Sequence, residues 1–122
     1  MDVSIFVRLL PFGCIVAISF LSLLPAADMI RTGASHQIEH FFAYFITSAI
    51  CVCVGKLSLR TVATIGAGLC VFSGLMELLQ QFSPGRTMAL SGFLASSAGA
   101  VAGGLVAFII RVVVTRRRTA RS

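Results

Sequence analysis

The stretch Glu77-Leu78-Leu79-Gln80-Gln81-Phe82-Ser83-Pro84-Gly85-Arg86 places a carboxylate, two amides and a guanidinium between two apolar segments. Ionisable groups in such surroundings cost energy, and function is the default reason for keeping them. Glu77 lies roughly 10 Å below the Pro84-Gly85 bend at 1.5 Å of rise per residue. Gln80 and Gln81 follow it at i+3 and i+4, on a shared helix face. A carboxylate at that depth needs a partner, and Arg86 and His40 are the residues placed to supply one. The Arg86 fork suits a phosphate or a carboxylate, although the same side chain also serves as a plain interfacial anchor. The whole cluster reads alternatively as a hydrogen-bond network that pins helices together.

A second group precedes it. His36-Gln37-Ile38-Glu39-His40 fits the pattern H-x-x-E-H, in which two histidines at i and i+4 share a helix face and hold zinc, with the glutamate as general base. That chemistry needs a third ligand and a cleft, and Glu77 is the residue positioned to be that ligand. Three fixed letters in five are a weak constraint, so the sequence assigns no metal ligand and no cofactor. The plainer reading has Glu39 exposed at the interface and His40 turned inward, with Tyr44 one helical turn further on the same face. His40, Tyr44, Glu77, Gln80 and Arg86 are thus the candidate ligand-binding residues. Acid–base work by His40 and Glu77 is chemically feasible, but no nucleophile stands beside a base, and no catalytic residue is named.

These groups must be positioned by a very apolar scaffold. The 122 residues are 57% hydrophobic and 11% charged, about half the charged share of a soluble domain. An all-α integral membrane protein follows. Four stretches approach the length that crosses the hydrocarbon core: Ser4–Leu24, Ile38–Gly55, Thr61–Phe82 and Leu90–Val114. Backbone groups in lipid must be satisfied internally, which makes these spans helices. Arg8, the apolar run from Leu9 to Leu24 and Pro25-Ala26-Ala27 imitate a signal peptide, but the run is long and the A-x-A pattern imperfect. The first span is expected to be retained.

Net charge is +6, yet it is no nucleic-acid signature. Arg8, Lys56, Arg60 and the Arg111–Arg121 cluster fall on one side of the spans, and Arg31 and Arg86 on the other. This asymmetry predicts both termini in the cytoplasm, with residues 116–122 as a basic tail that meets anionic lipid. His36, His40, Glu77 and Arg86 then converge on the outer face. Cys14, Cys51, Cys53 and Cys70 lie within the apolar spans and read as small buried hydrophobes rather than a disulfide or zinc framework. In the last span Gly92, Ser96, Ala100 and Gly104 recur every four residues, with Gly99 and Gly103 beside them. Such a face brings helix backbones close, either within the chain or across a homodimer.

Glu39-His40-Phe41-Phe42-Ala43-Tyr44 and Glu77-Leu78-Leu79-Gln80-Gln81-Phe82-Ser83-Pro84-Gly85-Arg86-Thr87 together resemble the VanZ-like family of small membrane proteins, over roughly residues 22 to 105. The resemblance implies a bacterial inner-membrane protein of the cell envelope, a link to glycopeptide susceptibility and no established cofactor. It carries over onto His40, Tyr44, Glu77, Gln80, Pro84, Gly85 and Arg86. His36-Gln37 stands where relatives carry Asp-Lys, and Ala89, Gly92 and Ser96 stand where they carry acidic residues and an Asn. The expected function is a non-enzymatic one: an outward polar pocket that binds an envelope lipid or lipid-linked intermediate. The alternatives are a structural partner of a larger envelope enzyme or transporter, acting through the small-residue face, and a membrane zinc hydrolase.

Overall fold

The computed structural model describes residues 3–30 and 32–121; Met1, Asp2, Arg31 and Ser122 lie outside them. Four helices follow one another: α1 (Val3–Leu23), α2 (His36–Val54), α3 (Leu59–Gln80) and α4 (Leu90–Thr119), with a single 3-10 turn at Ala26–Asp28. Each of the four is long and apolar enough to cross a membrane. Large apolar side chains stand exposed on all of them, Phe12, Phe42, Val71 and Ile109 among others, as lipid contact requires.

The helix starts follow from local chemistry. Ser35 caps α2 by accepting from the Ile38 N–H, and Ser58 caps α3 by accepting from the Thr61 N–H at 3.1 Å. Each cap satisfies an otherwise orphaned donor and starts its helix about two residues before the hydropathy does. Pro11 sits inside α1 without ending it. Past Gln80 the chain tightens through Phe82 N–H to Leu79 O and Ser83 N–H to Gln80 O, and Gly85 takes a φ of +74°, a conformation that favours glycine. α4 continues to Thr119, so most of the expected basic tail is helical. No glycine or proline interrupts Val112 to Thr119, and arginine is a good helix former.

α2 and α4 run parallel. Gln37 Nε2 reaches Ser91 Oγ at one end (3.4 Å), and Arg111 Nη1 donates to Gly55 O at the other (2.7 Å). They form the spine of the bundle, because a Cβ added at Gly99 or Gly103 would collide with the carbonyl of Phe41 or Phe45. The small-residue face of α4 is therefore occupied within the chain, and a protein partner would have to use another surface. α3 packs on this spine, whereas α1, among the described residues, rests on α2 and α3 and not on α4. At the loop end Ala26 N–H donates to Pro84 O (3.0 Å) and Ser83 Oγ to Leu23 O (2.9 Å), which ties the α1–α2 connection to the α3–α4 connection. The four cysteines are free, three half-buried and Cys53 exposed. None is fully buried, contrary to the sequence reading, because they stand at the margins of the helix contacts rather than in the core.

Candidate functional site

The loop end of the bundle gathers the polar residues. Glu77 is 3% exposed, one turn before the C-terminus of α3. Its Oε2 accepts the Ala89 N–H at 3.0 Å, just ahead of α4. Its Oε1 lies 3.8 Å from His40 Nδ1, too far for a hydrogen bond, and has no hydrogen-bond partner among the described residues. His40 Nδ1 is 3.0 Å from Ser96 Oγ, which fixes the ring between α2 and α4. His36 stacks at a tilt on His40, ring centroids 4.1 Å apart. One ligand atom each from His36, His40 and Glu77 lies within 4.8 Å of the other two.

The third letter of H-x-x-E-H behaves differently. Glu39 is half-buried and accepts from Thr32 through both the backbone N–H (3.0 Å) and the hydroxyl (2.6 Å). It secures the loop that enters α2 and is not part of the His36–His40–Glu77 group. A residue just before His40 is turned about 100° around the helix from it, so the sequence pattern and the spatial cluster share only their histidines.

A cavity of about 510 Å³ opens between α1, the following loop and the start of α2. Its walls are mostly apolar, with Ile18, Leu21, Met29 and Phe42 among them, and its polar wall carries His36, Glu39, His40 and Arg86. Arg86 is half-buried and its Nη1 lies 3.5 Å from Leu24 O. Tyr44 lines the same cavity, nearly enclosed, with its ring beside Phe72. The volume and mixed lining suit one amphiphile, or part of one.

Of the five residues expected to bind a ligand, His40, Tyr44 and Arg86 reach this cavity directly. Glu77 stands behind His40, 3.8 Å from its Nδ1, and is not on the cavity wall. Gln80 is 1% exposed, with Nε2 unpartnered among the described residues, and is not on the cavity wall. Gln81, at the C-cap of α3, is exposed and does not share the burial of Glu77 and Gln80. Sequence reasoning considered His36 only within the weak H-x-x-E-H pattern and left it out of the ligand-binding set, and it missed the positions that look like losses against the VanZ-like pattern. Ala89 donates its N–H to Glu77, Ser96 Oγ pairs with His40 Nδ1, and Gly92 leaves the space that the Glu77 carboxylate occupies. The available signal was the four-residue spacing of Gly92 and Ser96, which read as packing alone.

Compared with protein-family models, curated proteins and solved structures, the chain matches none.

Proposed function

We propose that the chain is a VanZ-like multi-pass protein of the bacterial inner membrane, with both termini cytoplasmic, that binds an envelope lipid or lipid-linked intermediate at its outward-facing end. The observation that carries this reading is the mostly apolar cavity between α1 and α2, with Arg86 and His40 on its polar wall. Apolar walls accept acyl or isoprenoid chains, and an arginine fork in low dielectric grips a phosphate or carboxylate headgroup. The basic residues support the orientation: Lys56, Arg60 and Arg111 lie towards the end opposite the cavity, and Arg116, Arg117 and Arg118 form the last turn of α4. On this reading the protein holds its ligand at the cavity through headgroup contacts and apolar walls.

Native mass spectrometry of gently extracted protein tests the proposal, wild type beside Arg86→Ala. The expected result is a discrete lipid mass retained by the wild type and lost from the variant. Equal retention by both proteins, or a co-purifying protein with no lipid, would overturn it.

A further inference from the structure

We infer that His36, His40 and Glu77 form a binding site for a first-row divalent metal ion of the zinc class. The inference goes beyond lipid binding and stands without it. Two imidazoles at i and i+4 on α2 and one carboxylate from α3 make a His₂Glu donor set, which leaves a tetrahedral ion one open position. The donor atoms already lie within 4.8 Å of one another, and bonds of about 2.0–2.2 Å to one ion would draw them closer still.

A second observation points to a cation independently of that clustering. Glu77 is 3% exposed, and its Oε1 has no hydrogen-bond partner among the described residues. An ionised carboxylate buried in low dielectric is costly unless a cation or donors meet each oxygen. The Ala89 N–H serves Oε2; Oε1 faces the histidines. The backbone has been cleared for this arrangement at Gly92. A Cβ there would collide with Oε1 and would lie 3.5 Å from His36 Nε2, so carboxylate and imidazole flank the same bare Cα. His40 Nδ1 is the atom 3.8 Å from Glu77 Oε1 and is itself held by Ser96 Oγ at 3.0 Å, so ligation through Nδ1 exchanges that hydrogen bond for the metal.

The charge arithmetic indicates what completes the coordination. A divalent ion with one carboxylate and two neutral imidazoles carries +1, and both histidines line the cavity that also holds Arg86. The open position therefore favours an anionic oxygen, such as a phosphate or carboxylate; this last step rests on the amphiphile-binding reading. Glu39 is engaged by Thr32, so the site lacks the general base that H-x-x-E-H would supply. A metal here anchors an anion.

Full-length protein in detergent, stripped with chelator, is titrated with Co²⁺ alone and followed by visible absorption, then competed with Zn²⁺. The expected result is a saturable four-coordinate spectrum at one ion per chain, displaced by Zn²⁺. Affinity should fall by about 100-fold or more in His36→Ala and in Glu77→Gln, at least as much as the loss of an outer-shell contact causes. A wild type without a saturable spectrum overturns the assignment, as does a spectrum that survives both substitutions. Cobalt–thiolate charge-transfer bands would hand the ion to a cysteine and overturn it too. His36 is half-buried in the first turn of α2, so His36→Ala carries the test should Glu77→Gln fail to fold. The titrant is metal alone, so its failure leaves the lipid reading standing, and an empty lipid spectrum leaves the metal site standing.

Discussion

Gly92 and Glu77 occupy the same space: a Cβ on Gly92 would lie 3.2 Å from the Glu77 carboxyl carbon and would collide with Oε1. Gly92→Ala is accordingly expected to push the carboxylate out of its pocket. The resulting overpacking costs about 1–3 kcal/mol, read as a lowered unfolding midpoint in detergent. The same variant should lose the cobalt spectrum while retaining wild-type helicity by circular dichroism.

Gly99 and Gly103 face backbone rather than a side chain, and backbone cannot rotate away. Gly99→Ala and Gly103→Ala are each expected to force α2 and α4 apart and to destabilise by at least about 1–3 kcal/mol. Gly68, with nothing within 4 Å of an added Cβ, provides the contrast. Gly68→Ala should stabilise by roughly 0.5–1 kcal/mol through helix propensity. Urea or thermal unfolding of the set side by side decides the matter, and equal losses at all three glycines would refute the close approach.

Arg111 donates to Gly55 O at 2.7 Å and also to Val52 O, so it covers carbonyls that α2 leaves open at its C-terminus. Charged donors at such carbonyls also complement the helix dipole. Arg111→Met keeps much of the stem and removes both bonds; a loss of about 1.5–3 kcal/mol is expected. Hydrogen exchange should locate it in the last turn of α2, and unchanged protection there would count against the capping role.

Gln80 presents the opposite case. Its side chain is enclosed and its Nε2 has no partner among the described residues. Replacing an unsatisfied polar group with an apolar one of similar shape is neutral or stabilising. Gln80→Met should therefore unfold no earlier than wild type. A marked loss would reveal that the amide has a partner in the native membrane.

The spans were legible in the sequence because a membrane helix announces itself by unbroken apolarity. Their ends were less so. Ser35 and Ser58 move two helix starts by capping, and the arginines after Val114 continue α4 as good helix formers do, though hydropathy ends there. For the site, the meeting of His40, Glu77 and Arg86 at one end followed from counting spans. What Ala89, Gly92 and Ser96 do was not legible. A main-chain N–H has no letter of its own, and a glycine that admits a carboxylate looks like one that admits a helix. Glu39 misled for a related reason: letters in a motif are neighbours in the chain, while ligands must be neighbours around the helix.

The sparse packing of α1 has a thermodynamic consequence. The cavity lies between α1 and α2, two helices whose outer faces carry exposed apolar side chains such as Phe20 and Phe42. On the lipid-binding proposal, an occupant that enters from the bilayer never passes through water, so no hydrophobic transfer energy is gained on entry. Affinity then depends on headgroup contacts and on exchange with neighbouring lipids. It is properly expressed as a mole fraction within the bilayer rather than as a concentration in solution, and diluting the protein with detergent or with more membrane should empty the site without any change in its structure.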